Sequence, residues 1–313
     1  MRLTIVIVNW NSAEYIERCL KSIFAQCHNL LFEIIVVDNA SCDESVDLIK
    51  SKFKSVVLIE NKNNPGFAAA NNQAILKSNS EYVLFLNPDT EILDNAVGRM
   101  VDFLDKNKDF CGVGPCILNA DGTIQFTCAR NFPNPFTELC SYMSFLKNLR
   151  SRRPFGNYLM NYWDHRDSRQ VNVLSGACMM FSHKVLAEIN NFNEKYFMYA
   201  EDLDLCRAIK NKGGKLWYLS AAKIIHHGGK SSGLVTGLTY VRYYESMYFF
   251  YKQYHGIFVA VIYKYFLLFY ALLVNLKARS KLIFARGKDV NFHRSKIRGT
   301  NNLINWCVRS GIN

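Results

Sequence analysis

Tyr82-Val-Leu-Phe-Leu-Asn-Pro-Asp-Thr90 is an apolar run of strand length that stops at a short polar turn carrying one carboxylate, Asp89. Five consecutive apolar residues without alternation fit a strand covered on both faces, as in a parallel sheet. Ligands of open α/β sheets bind beyond the carboxyl ends of such strands. A carboxylate held there by a proline-stiffened turn suits a hard cation, Mg²⁺ or Mn²⁺, which keeps several waters and takes further oxygens from a substrate phosphate. Alone, the stretch favours the plainer reading, a strand followed by an Asn-Pro-Asp turn. Its surroundings shift the balance.

Upstream, residues 3–8 are β-branched and apolar, too short for an export segment, and read as a buried first strand. Ser12 is placed to cap a helix over residues 13–26, with Ile16, Leu20 and Ile23 on one face. Glu33–Val37 is a second buried strand that ends at Asp38-Asn-Ala-Ser41, with a helix to follow. Residues 56–60 form a third strand, Asn63-Asn-Pro-Gly-Phe67 a turn, and residues 68–77 a helix. The β-α-β-α-β-α-β rhythm predicts a Rossmann-like, mostly parallel central sheet with helices on both faces.

Downstream, a helix is expected near 94–106, then shorter and partly antiparallel strands over 111–135. Residues 147–170 read as a basic, aromatic surface loop, and 171–181 as strand-like around Ser175-Gly-Ala177. A helix opens at Glu201-Asp202 and stops at Lys212-Gly-Gly214, and a strand over 215–225 ends in His226-His-Gly-Gly229. Residues 257–276 are apolar except for Lys264 and Asn275, just long enough to span a bilayer. Lys264 lies near mid-span, where a charge is costly, and Lys277, Arg279, Lys281, Arg286 and Lys288 follow at once. An interfacial helix beside a polybasic tail is the favoured reading; a transmembrane span ranks second and a buried packing or dimer helix third.

Composition agrees with a globular chain of one large domain plus an appendage: 313 residues, 50% hydrophobic and 20% charged. The net charge of +12 is uneven. Residues 277–313 hold nine Lys or Arg against Asp289 alone, so the first 276 carry only +4. A basic tail points to an anionic partner, a phospholipid surface or nucleic acid, or to a solvated tail with no partner; of these the membrane surface is expected and nucleic acid is not. Ten scattered cysteines without a C-x-x-C pair suit a reducing cytosol.

Four polar clusters fall at predicted strand ends: Asn9–Asn11, Asp38–Ser41, Asn63–Asn72 and Asn87–Asp89. Such a row builds a nucleotide crevice. The Gly66 turn lacks the Gly-Lys-Ser/Thr of a P-loop, and the first strand is not followed by G-x-G-x-x-G, which disfavours hydride transfer. A nucleotidyltransferase would carry a glycine-rich basic loop where Asn9-Trp-Asn-Ser12 stands. Glu201 and Asp202 sit at a helix mouth, where one of them can serve as general base. His226 can join a carboxylate around Mg²⁺ or Mn²⁺. Lys230, in the Gly-Gly-Lys-Ser-Ser-Gly stretch, offers charge from a lid over phosphates.

Seven segments in order resemble glycosyltransferase family 2, the inverting enzymes of GT-A fold, and within it the bacterial rhamnosyltransferase-like branch. They are Ile5–Asn11, Ile35–Ser41, Asn64–Asn72, Phe85–Thr90, Ser175–Met180, Phe197–Cys206 and Ile225–Gly229. The resemblance implies a GT-A catalytic domain over residues 1–237, with a nucleotide-binding half at 1–110 and an acceptor-binding half at 111–237. Residues 238–313 then form a C-terminal helical, membrane-associating region. It implies a divalent metal held by Asp89 and His226, with Asn87 standing where the family has the first acid of Asp-x-Asp. It implies nucleotide contacts from Val8, Asn9, Asn11, Asp38, Asn64, Gly66, Asn71 and Asn87. Ser175, Gly176, Ala177, His227 and Lys230 would face donor sugar or acceptor. Asp202 would be the base, with Glu201 as the fallback. The implied donor is a nucleotide sugar, dTDP-rhamnose first and a UDP-sugar next. The implied acceptor is a lipid-linked glycan at the inner face of a bacterial plasma membrane.

Overall fold

Burial of β-branched residues dictates the sheet. Leu3 to Asn9 are buried at every position, and Ile34 to Asp38 likewise, so both strands must be covered on two faces. The computed structural model describes residues 1–27, 29–142, 148–149, 151–228 and 238–309. The chain divides into two units, residues 1–197 with 201–231, and residues 198–200 with 232–313.

In the first unit β1 (Leu3–Asn9), α1 (Ala13–Gln26), β2 (Phe32–Asp38), α2 (Ser45–Lys52), β3 (Val57–Glu60), α3 (Phe67–Ile75) and β4 (Tyr82–Leu86) alternate along the chain. The four strands pair in parallel in the order β3-β2-β1-β4. Next come β5 (Thr90–Leu93), α4 (Ala96–Lys106), β6 (Phe110–Leu118), β7 (Ala129–Arg130), α5 (Pro135–Tyr142), β8 (Arg169–Val171), β9 (Val173–Leu174), β10 (Cys178–Ser182), α6 (His183–Glu188), α7 (Glu201–Asn211) and β11 (Lys215–His226). The sheet continues from β4 through β10, β6, β11 and β5, and here pairing is mostly antiparallel, with β6–β11 parallel. Phe85 on β4 lies fully buried, its ring centroid 6.3 Å from that of Phe181 and 4.9 Å from that of Phe192.

One strand was not anticipated and two local expectations change. Thr90–Leu93 is a strand; its partner is the far end of β11, with His226 opposite Thr90, so no local signal marks it. Ser12 does not cap α1 with its side chain: its hydroxyl donates to Asn9 Oδ1, and Asp43 Oδ2 takes the Ala13 amide at 2.8 Å. The described part of 147–170 is not wholly a surface loop. Tyr158, Trp163 and His165 are buried, with the Trp163 and His165 rings stacked at 4.0 Å. All ten cysteines are free thiols and eight are buried, as small apolar side chains are.

The second unit consists of α8 (Leu238–His255), α9 (Ile257–Phe284) and α10 (Lys288–Arg309). One face of α9 is buried through Ala260, Tyr263, Leu267, Ala271 and Ala278. Both polar interruptions lie on that face. Lys264 is 8% exposed, its amine 5.9 Å from the Tyr248 ring and 5.6 Å from the Trp306 ring. Asn275 donates to Thr300 Oγ1 at 2.7 Å and Asn301 Oδ1 at 2.9 Å, and accepts Arg279 Nε at 2.7 Å. The opposite face exposes Phe258, Ile262, Phe266, Phe269, Leu273 and Leu276.

Gly66 is the tightest backbone approach near the crevice. Its φ of 96° suits glycine, and an added Cβ would lie 2.5 Å from the Phe197 carbonyl oxygen, which accepts the Phe67 amide. Gly66→Ala is expected to lower stability by roughly 2–3 kcal/mol, read as a lower urea midpoint with unchanged slope. An unchanged midpoint would show that this turn carries no such constraint.

Candidate active site

The strand order reverses between β1 and β4, because β2 and β3 lie on one side of β1 and β4 on the other. Crevices of open sheets form at such a point. The carboxyl ends of these two strands are Asn9 and the turn Asn87-Pro88-Asp89. Asn9 is fully buried and donates from Nδ2 to Asp38 Oδ1 at 2.7 Å and Ser45 Oγ at 2.8 Å. Asp38, 2% exposed, also accepts Ser41 Oγ at 2.6 Å and the Ser41 amide at 2.9 Å. Asn11, at φ 50°, accepts the Cys42 amide at 2.7 Å. These bonds lock the loops after β1 and β2 to each other, so Asp38 shapes the crevice wall from within.

The loop before α3 is closed in the same manner. Asn64 Oδ1 accepts the Gly66 amide at 2.9 Å and Asn39 Nδ2 at 3.2 Å. Asn71 turns away: its amide donates to Phe67 O at 2.9 Å within the helix, and the residue is buried. The structure gives Asn71 a bracing place, since its donor is used inside α3. Val8 is buried in β1.

Asp89 is 6% exposed, with Oδ1 3.2 Å from His226 Nε2. Gln125 fixes the imidazole. Its Nε2 donates to the His226 carbonyl at 2.7 Å, so its Oε1 is the atom 3.1 Å from His226 Nδ1. An amide oxygen only accepts, hence Nδ1 carries the proton. In neutral His226 the Nε2 lone pair then faces a carboxylate oxygen. Two acceptors in contact repel until a proton or a cation lies between them, so this pair fits a divalent cation. Among the described residues no cluster of three or more His, Cys, Asp or Glu is present; a cation at this pair would draw further oxygens from substrate and water. Asn87 approaches the same Nε2 at 3.5 Å.

His227 Nε2 meets Glu91 Oε1 at 2.6 Å and its amide donates to Asp89 O at 2.9 Å, so it braces the Asp89 turn. Lys230 lies outside the described residues.

Residues 175–177 join the two acidic turns. The Asn87 amide donates to Ala177 O at 2.9 Å, and the Gly176 amide donates to Asp202 Oδ2 at 3.1 Å. A Cβ on Gly176 would meet Asp202 Cβ at 3.5 Å, which is ordinary contact. Ser175 Oγ accepts the Ala177 amide at 3.3 Å. Asp202 Oδ2 is also ion-paired with Arg130 Nη2, while among the described residues Oδ1 accepts only the Leu203 amide, at 2.8 Å, and keeps a lone pair for another donor. Arg130 in turn donates from Nη1 to Tyr158 Oη at 3.0 Å. Glu201 is different. Its Oε2 is buried without a hydrogen bond among the described residues, and burial, reinforced by the Asp202 charge, pushes its carboxyl up to about 8.

Gln125 and Arg130 were not anticipated. Each is a lone polar residue in a mixed segment, with a partner far along the chain, so spacing carries no sign of either.

Residues 4–189 match the model of the family described as Glycosyl transferase family 2. The chain is 23% identical over 265 residues to the N-acetylglucosaminyl-diphospho-decaprenol L-rhamnosyltransferase of Mycobacterium tuberculosis, covering 81% of this chain and 85% of that one. It is 24% identical over 233 residues to the rhamnosyltransferase WbbL of Escherichia coli, covering 71% and 82%. A crystal structure of GalNAc-T7 with UDP, GalNAc and Mn2+ superposes with a TM-score of 0.54 at 16% identity, over 72% of this chain and 44% of the other, and shares its fold. With more than half of its residues inside the family match, and with a GT-A-type sheet ending in the Asp89 turn, the chain belongs to glycosyl transferase family 2.

Proposed function

We propose that this protein transfers a sugar from a nucleotide donor to a hydroxyl of a lipid-linked or polysaccharide acceptor in cell-surface glycan synthesis. The finer reading is rhamnose from dTDP-rhamnose, transferred with inversion. The observation that carries the donor side is the Asp89–His226 pair, held with Nε2 toward the carboxylate by Gln125. The relatives named as rhamnosyltransferases support the sugar, and the diphospho-decaprenol in one of their names supports a lipid-linked acceptor.

Residues 1–110 serve as the nucleotide half: Asn9, Asn11, Asp38, Asn64 and Gly66 shape the crevice in which base and ribose lie. Asp89 and His226 hold the divalent cation, Mg²⁺ or Mn²⁺, which when bound offsets the charge of the leaving nucleoside diphosphate. Residues 111–237 serve as the acceptor half. Segment 175–177 lines the sugar and acceptor side and fixes its distance from both carboxylates. Asp202 Oδ1 receives the acceptor proton as the hydroxyl attacks the anomeric carbon; Arg130 and Gly176 hold Oδ2 and set the carboxylate plane. Glu201 stays protonated behind it, which avoids two adjacent buried negative charges. Displacement in one step inverts the anomeric centre and requires no enzyme nucleophile.

The C-terminal unit docks at the inner face of the plasma membrane with α9 in the interface plane. A spanning α9 would draw the α10 segment beside it, with Asn301, Asn302 and Asn305 and tied to it through Asn275, into hydrocarbon. Lying flat, α9 presents its phenylalanine and leucine face to the acyl chains.

Incubation with dTDP-rhamnose and a diphosphate-linked acceptor, with NMR of the product anomer, tests this reading. An inverted linkage is expected; no product from dTDP-rhamnose, UDP-sugars or GDP-sugars would overturn it. Asp202→Asn is expected to cut turnover by about 10²–10⁴-fold in a folded protein while donor affinity stays within about twofold. Strong residual turnover would remove Asp202 from the base role. Asp89→Ala should instead abolish the metal dependence of donor binding, seen by calorimetry with and without Mn²⁺, and an unchanged dependence would contradict its role as ligand. Glu201 is raised from 4.5 to about 8 in the fold, so stability is expected to fall as pH rises between those values. Glu201→Gln should therefore melt higher than the parent at about pH 9 and equally at about pH 4. An equal shift at both would contradict the buried, protonated carboxyl.

A further inference from the structure

Within the second unit, α9 and α10 enclose an open groove of about 980 Å³. Arg279, Arg294 and Arg298 line it together with Leu276, Ile283 and Ile297, and asparagine side chains of α10 add amide donors. No acid lines it, and Asp289 is the one acid in residues 277–309. Arg279 uses Nε to bond Asn275 Oδ1 at 2.7 Å, and Asn275 is itself anchored to Thr300, which is buried. One edge of the guanidinium is thus fixed from the protein side. None of the three arginines has an acidic partner among the described residues.

Three unneutralised guanidiniums sharing one groove repel one another unless an anion joins them. Guanidinium matches phosphate by paired hydrogen bonds, where an ammonium acts only as a point charge. The groove is also not purely polar. Leu276 and Ile283 are exposed, and Leu276 continues the exposed apolar face of α9 through Leu273 and Phe269. A soluble anion has no use for that wall. A scattered basic surface would serve ordinary anionic headgroups as well as three clustered arginines do. A phosphate with a long apolar chain uses both walls: its head on the arginines, its tail along the α9 stripe.

We propose that this groove binds the phosphate end of the lipid that carries the acceptor glycan, a long-chain lipid diphosphate. The identity of that lipid rests on the transferase reading, while the chemistry of the groove does not.

The test is flotation of the full chain with three phosphatidylcholine vesicles: plain, doped with a polyprenyl diphosphate, and doped with phosphatidylglycerol to the same surface charge. Binding to the diphosphate vesicles is expected to be about tenfold tighter than to the charge-matched ones. Arg294→Gln with Arg298→Gln, both at exposed positions, should reduce that preference to within about twofold. Lys277→Gln with Lys281→Gln removes the same charge outside the groove and should weaken both bindings while keeping the ratio. Equal binding to the two doped vesicles would overturn the proposal, as would a preference that survives the double arginine change. Inorganic diphosphate binding as tightly as the lipid would also overturn it, since the apolar wall would then contribute nothing. Calorimetry with dTDP, UDP and GDP on the same samples separates the two readings. A lipid preference without nucleotide binding sinks the transferase and leaves the groove standing; nucleotide binding without a lipid preference does the reverse.

Discussion

The account depends on the 3.2 Å approach of Asp89 Oδ1 to His226 Nε2, which brings together residues far apart in the chain. Neither side chain finds this position alone. Asp89 is set by the end of β4 and by β5, which returns along β11 and places Thr90 opposite His226. His226 is set by Gln125, whose amide bonds both the backbone and the ring of the same residue. Because that amide is used in both directions, the ring cannot flip without losing a hydrogen bond and turning a carbon edge to the Gln125 oxygen. A metal site of the proposed kind, with Asp89 and His226 as its ligands among the described residues, would depend on such outer contacts to fix its geometry.

β1, β2 and β4 were legible because each is a largely apolar run without alternation that stops at asparagine or aspartate. Asp89, His226 and Asp202 stand out as candidates for the same reason: each stands where an apolar or aromatic run ends. The limits are equally physical. Asp38 is expected at the nucleotide from its place after β2; that its carboxylate also accepts Asn9 and Ser41 is not readable from spacing. Asn71 is expected there from its polar cluster, and its bond to the Phe67 carbonyl inside α3 is likewise unreadable. Strand-end position identifies the edge of the sheet on which a residue stands, not whether its side chain faces ligand or loop. Arg130 and Gln125 answer partners that only the tertiary fold supplies.

The C-terminal unit shows how a local puzzle resolves in packing. Lys264 and Asn275 interrupt an otherwise apolar stretch, and in isolation they argue against it as a membrane segment. In the fold both lie on the inner face of α9, one enclosed by Tyr248 and Trp306, the other bonded to α10. The polar residues fasten the helix to its neighbours, and the outer face is left uniformly apolar. That division between an inner face with fixed polar contacts and an outer hydrocarbon face is what a helix lying in a membrane interface requires.

The most direct test of the central claim is pulsed electron paramagnetic resonance of Mn²⁺ added to the full chain with dTDP. The account predicts one directly bound histidine nitrogen, seen as a hyperfine coupling that appears when nucleotide and Mn²⁺ are both present and vanishes in His226→Gln. Mn²⁺ bound with nucleotide but showing no histidine coupling, or the same coupling in His226→Gln, would contradict it.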